Sequence, residues 1–186
     1  MKTIFIPTFI AACLLLTWSA NGEDTNALKT TIGVFETRAD TILIKGFGTA
    51  GSMTVGSAAI SVRYKLTTDT RDGDKVEGLV IDIENDGPVR ERILVDYEEI
   101  APLLNSIDYV NKVNYDVTKL PGFEVSFSTK GGLRVVANSI RREGAIQDAL
   151  EYGDTARIPI NSLQLTQLYT LIDQARKSLD AVRGDK

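Results

Sequence analysis

Ile60-Ser61-Val62-Arg63-Tyr64-Lys65-Leu66-Thr67 alternates apolar and polar side chains with a period of two. Successive side chains of a strand point to opposite faces, so this stretch predicts a strand with one buried and one wet face. Arg71-Asp72-Gly73-Asp74 then supplies a turn, Leu79, Ile81 and Ile83 continue the apolar face, and Asn85-Asp86-Gly87-Pro88 turns the chain back into Ile93 and Val95. Such turn residues between short alternating runs predict an antiparallel meander.

A one-sided sheet needs a cover, and the next segment provides one. Asp96 and Glu99 have capping-box spacing, and Ile100, Leu103, Leu104 and Ile107 fall at i, i+3, i+4 and i+7. Pro102 lacks an amide donor, so this helix is either kinked there or begins with Pro102 in its first turn. Upstream, the β-branched runs Thr31 to Thr37 and Thr41 to Lys45 predict two more strands around Arg38-Ala39-Asp40, and residues 111–122 predict a loop.

The second half repeats this order. Phe123, Val125 and Phe127, then Lys130-Gly131-Gly132, then Leu133, Val135 and Ala137 predict a hairpin. Residues 141–153 suit a strand or a short helix. Ala156, Ile158 and Ile160 predict an edge strand carrying Pro159, and Asn161 with Gln164 caps a helix striped by Leu165, Leu168, Leu171, Ile172, Ala175, Leu179 and Val182. At an offset of 65 residues, Arg92, Ile93, Leu103 and Ile107 overlie Arg157, Ile158, Leu168 and Ile172. That match fits either a duplicated β-β-β-α unit or the grammar common to any strand, cap and helix. The expected fold class is α+β: a strongly curved antiparallel sheet packed against two amphipathic helices.

Outward from this domain, the N-terminus has the form of an export signal. Met1-Lys2-Thr3 leads into an apolar run of 15 residues ending at Trp18, then Ala20-Asn21-Gly22 and the acidic Glu23-Asp24. A short basic start, an apolar run broken by Pro7 and Thr8, and small residues before a polar segment predict a signal peptide over residues 1–22. A flexible segment is expected over 23–30 and a single domain over 31–186, in the periplasm or cell exterior and without stable membrane insertion after cleavage. Ile10-Ala11-Ala12-Cys13 resembles a lipoprotein processing site, but Leu14 to Leu16 carry the apolar run past it. Lipid anchoring at Cys13 is therefore not expected.

Composition then narrows the chemistry. Cys13 is the only cysteine and there is no histidine, so the cleaved chain has no disulfide, no histidine-based triad and no imidazole or thiolate metal site. The net charge of −4 falls to −5 when Lys2 leaves, and basic residues are scattered among acids, which does not suit nucleic acid.

Three motifs invite chemistry. Gly46-Phe47-Gly48-Thr49-Ala50-Gly51 matches G-x-G-x-x-G, but Ser52-Met53-Thr54-Val55-Gly56-Ser57 is β-branched where a phosphate-binding helix should start, so a bulge or strand crossing is expected instead. Asp82, Glu84 and Asp86-Gly87 begin like a calcium loop, yet the closing position is Ile93, so they are expected as solvated turn acids, as are Asp69, Asp72 and Asp74. Asp82 and Glu84 share a strand face and are the residues a carboxylate-dependent glycan hydrolase would use. The preferred expectation is a non-catalytic binding or protein-interaction module with no cofactor and no metal. Its small-molecule or protein partner is open, and no catalytic or binding residue is assigned.

Overall fold

The computed structural model describes residues 29–85, 90–140, 144–153 and 156–184. The segment expected as a signal peptide (1–22, with Cys13), residues 23–28 of the segment expected to be flexible, Asp86 to Pro88 and residues 141–143 lie outside them. The first half contains α1 (Thr31–Phe35), β1 (Leu43–Val55), β2 (Ala58–Asp69), β3 (Lys75–Glu84), β4 (Arg90–Asp96) and α2 (Tyr97–Lys112). A 3₁₀ turn at Tyr115–Val117 leads to β5 (Gly122–Ser128), β6 (Arg134–Ile140), β7 (Ala145–Tyr152), β8 (Ala156–Pro159) and α3 (Ser162–Gly184).

The fold is α+β, with two separate four-stranded antiparallel meanders, β1-β2-β3-β4 and β5-β6-β7-β8. Neither is closed or strongly curled, so the expected strong curvature is not found. Two sheets divide the work assigned to one. Period-two alternation turns Ile60, Val62, Leu79, Ile81, Ile83, Ile93 and Val95 inward from the first sheet, and Val135, Ala137, Leu150 and Ile158 inward from the second. All belong to one core with α2 and α3. The helices exchange partners: α3 lies across β1, β2 and β3, while α2 packs on β3 and β4 and also on β5 and β6.

Both halves run four strands and a helix, one strand more than the β-β-β-α unit read from the sequence. The 65-residue offset holds at the junctions. Glu99 reaches back to the Asp96 amide at 3.3 Å, and Asn161 and Gln164 exchange bonds of 2.9 and 3.0 Å. Residues 145–152, undecided between strand and helix, are β7. Helix α2 runs from Tyr97 through the exposed Pro102, so Pro102 does not begin it.

One segment departs from expectation in kind. Thr31 to Thr37 is not a strand: residues 31–35 form α1, and β1 begins only at Leu43. The helix is made by its caps, since a five-residue helix has little stability of its own. Thr30 accepts from the Gly33 amide at 3.0 Å, and buried Asp96 accepts from the amides of Thr31 at 2.7 Å and Ile32 at 3.1 Å. Ile32 then covers Val80 and Leu94 on the outer side of the first sheet. A carboxylate distant in sequence has overridden a β-branched preference.

The arm after α1 is fixed at the β2–β3 turn. Arg38 pairs with Asp69 at 2.9 Å, Asp72 at 3.1 Å and Asp74 at 3.2 Å. The Thr41 hydroxyl, the Arg71 amide and Arg38 hold the Asp69 carboxyl at about 2, against an ordinary 3.8. Because the folded value is the lower one, its contribution is complete above pH 3.8 and is lost as pH falls through about 2. Between those limits, urea denaturation should show the wild type losing a stability increment that Asp69→Asn lacks. A constant difference between the two proteins across that window would show that the carboxyl is not held low.

Candidate functional site

The glycine motif lies inside β1. The register against β2 slips between Thr49 and Gly51, so Ala50 is the bulged residue, as the strand-like sequence after the motif implied. Gly48 lies beneath the Tyr64 ring, where a Cβ would come within 2.0 Å of Cζ, and Gly51 (φ +153) lies against Leu171 of α3. These glycines admit side chains of the protein's own core.

The bulge leaves residues 43–49 as a regular run at the sheet edge, paired with β2 alone among the described residues. Its backbone groups on the other side are open to another strand. It is also apolar: Ile42 is 71% exposed, Ile44 60% and Phe47 53%. Ile44 lies on the helix-side face with Gly46, and Phe47 on the outer face opposite Lys65. Cations flank the Phe47 ring, with Lys65 at 5.2 Å and Arg63 at 5.5 Å from its centroid.

These cations belong to two groups that share carboxylates. Glu36, from the arm after α1, pairs with Lys65, with Lys45 at 3.1 Å and with the Thr67 hydroxyl at 2.8 Å. Burial presses the Glu36 carboxyl upward, and its three donors outweigh that and hold it low. Burial lowers the Lys65 ammonium against the pull of Glu36. Next to them, Asp82 is held by Arg63 at 2.6 Å and Arg92 at 2.8 Å. Each group has two cations and one anion, so the immediate surroundings of Phe47 carry a local positive surplus on an acidic protein.

The second sheet repeats the device. Glu151 on β7 bridges Arg134 on β6 at 2.5 Å and Arg157 on β8 at 3.0 Å, as Asp82 on β3 bridges β2 and β4. Arg92 and Arg157 are the pair matched by the 65-residue offset. On the second sheet, however, Arg134 also meets Glu124 at 3.1 Å, so the surplus charge is cancelled.

Asp82 and Glu84 share the outer face, as alternation requires. Burial raises the Asp82 carboxyl, but Arg92 and Arg63 win and hold it low, while Glu84 pairs with Arg90 at 2.8 Å. Both carboxylates are thus taken up by arginines of neighbouring strands. The carboxyl that burial does raise is Asp148, on the helix-facing side of β7 opposite Ala137. Asp69, Asp72 and Asp74 converge on Arg38, and no cluster of three or more metal-ligating side chains occurs among the described residues.

Open surface depressions include one of about 540 Å³ between the β1–β2 turn and β8 and one of about 270 Å³ beside Arg134 and Glu151. Among the described residues, no helix is long and apolar enough to cross a membrane. Searches of protein-family models, curated proteins and solved structures found no match.

Sequence reading assigns no binding residue and does not single out Ile44, Lys45, Phe47 and Arg63 as a group. The available signal was an apolar residue between two glycines in a strand that no helix follows.

Proposed function

We propose that this chain is an exported interaction module that takes an extended segment of a partner protein along the free edge of β1. The observation that carries this reading is the edge at residues 43–49, with Ile44 and Phe47 exposed on its two faces. Strand addition supplies backbone hydrogen bonds, and alternate side chains of the added segment meet apolar residues. The open form of the depressions favours contact with a protein over enclosure of a small molecule.

The surplus charge beside Phe47 selects the partner: an extended segment alternating acidic and apolar side chains, with the acids toward Lys45 and Arg63. A second copy pairing through the same edge would set the two positive groups against each other. Export rests on the sequence of residues 1–22.

A display library of unstructured peptides, selected on the folded protein, tests this. Selected peptides should be acidic and should slow hydrogen exchange at residues 43–49. Ile44→Lys and Phe47→Ser should each weaken binding about tenfold or more without lowering the melting temperature, since both side chains are exposed. Protection mapped elsewhere, or a concentration-dependent dimer abolished by Ile44→Lys, would overturn the assignment.

A further inference from the structure

Among the described residues of the second sheet, one charged side chain is turned toward the helices. Strand alternation puts Glu124, Arg134, Glu151 and Arg157 on the outer face, whereas Asp148 shares the inner face with Ile146 and Leu150. Across the sheet it stands opposite the fully buried Ala137, and its carbonyl accepts from the amide of Ile160, a core residue, at 3.0 Å. Asp148 therefore has apolar neighbours along its own strand and on both sides. Its Oδ1 is buried and has no hydrogen-bond partner among the described residues. A carboxylate in such a place costs stability unless a charge or a donor offsets it.

The charges on the surrounding elements are engaged elsewhere or have the same sign. The inner face of the first sheet contributes Glu77, which Arg183 takes up at 3.0 Å, and Glu91, both acidic. On α2, Lys112 is paired with Asp108 at 2.6 Å, while Glu98 and Glu99 meet Lys130. Helix α3 has no charged residue before Asp173, which is held by Arg176 and Lys177, and farther along it Asp180 accepts from the Tyr97 hydroxyl. In the loop after α2, Asp116 and Lys119 are exposed. Tyr152, on the inner face with Asp148, accepts from Asn85 at 2.6 Å. Burial alone therefore acts on the Asp148 carboxyl, and it acts upward.

The joint that Asp148 occupies is short of other support. Strand β8 has four residues and, among the described residues, pairs with β7 alone, and Ile160 leads from it directly into the cap of α3. We infer that Asp148 is a proton-operated latch on this joint: protonated, it leaves β7 and the start of α3 closed, and ionised, it makes Ile160 and the first turn of α3 open more often, which brings water to the carboxylate. The proton is exchanged with solvent. Because the folded chain holds this proton more tightly than the unfolded one, the joint has its full strength below pH 3.8 and weakens as pH rises through the folded value. The latch shares no residue with the β1 edge, and either proposal can fail without the other.

The test compares the full folded chain with Asp148→Asn, a neutral side chain of the same shape. The Asp148 carboxyl carbon, followed by NMR in the wild type and assigned by its loss in the variant, should titrate with a midpoint above 3.8. The variant should melt about 3–6 °C above the wild type at pH 7.5 and within about 1 °C of it at pH 4. At pH 7.5 the Ile160 amide should exchange about fivefold or more slowly in the variant, with the difference gone at pH 4. A carboxyl midpoint at or below 3.8, a melting difference of the same size at both pH values, or unchanged Ile160 exchange at pH 7.5 would overturn the inference.

Discussion

Gly131→Ala is expected to cost about 3–5 kcal/mol, a large part of the roughly 5–15 kcal/mol that holds a domain of this kind together. A Cβ at this position would stand 1.9 Å from the carbonyl oxygen of Leu94 and 3.0 Å from its carbon. Both sides of the collision are backbone. Leu94 is held in β4 by its pairing with Val80, and the β5–β6 turn is held by the Thr129 and Leu133 backbones at 2.8 Å and by the Lys130 amide on Glu99 at 2.7 Å. Lys130 also reaches Asp96 at 3.3 Å and Glu98 at 2.9 Å, so the turn cannot lift without breaking ion pairs at the start of α2. In thermal denaturation the melting temperature should fall by about 10–15 °C. Gly56→Ala is the control: φ is +60 but nothing lies within 4 Å, so only the left-handed backbone cost of about 1–2 kcal/mol applies. A Gly131→Ala protein melting with the wild type would mean that the hairpin does not rest on β4, and the placement of one sheet against the other would be wrong.

What was legible in the sequence was whatever local pattern decides. Strands β2, β3, β5 and β6 alternate with period two, and α2 and α3 carry a helical stripe after a cap, so their existence followed from side-chain direction alone. The failures have a common cause. Thr31 to Phe35 prefers a strand locally and is helical because Asp96, more than sixty residues away, accepts its first amides. Gly48 and Gly51 read as part of a bulge or strand crossing, which β1 bears out, but not as space for particular side chains. Their role depends on Tyr64 and Leu171, which no window around the glycines contains. The division into two sheets was hidden for the same reason: a meander specifies which strands are adjacent, whereas its separation from the next meander depends on how the helices lie between them.

The candidate site was less legible than the fold, and the reason is again distance. Exposure of Ile44 and Phe47 follows from β1 being an edge strand, which is a property of sheet order. The positive surplus at Phe47 needs Lys45 and Lys65 to meet on Glu36, and Arg63 and Arg92 to meet on Asp82. Charge counting along the chain gives only a net acidic protein. The carboxylates that sequence did single out, Asp82 and Glu84, were correctly assigned to one face, but the arginines that neutralise them lie on neighbouring strands.

Cut between α2 and β5, neither half should fold alone, although each has the same order of elements. The first half, residues 29–113, would lose α3, whose Leu165, Leu168, Ile172, Ala175 and Leu179 are all at most 1% exposed in the intact protein. Re-exposing these side chains together with the face of β1, β2 and β3 that they cover costs on the order of 10 kcal/mol, comparable with the stability of the whole domain. The second half, residues 114–184, would keep α3 but lose the sheet it lies on and the α2 that packs against β5 and β6. Each fragment should therefore show no cooperative melt and exchange its amides freely, and the mixture should recover the intact protein's circular dichroism and melt. A sharp monomeric transition in either fragment would mean that the core divides between the halves. The exchange of helices makes the stronger demand: the two β-β-β-β-α halves are alike in order, and each depends for its packing on the core they share.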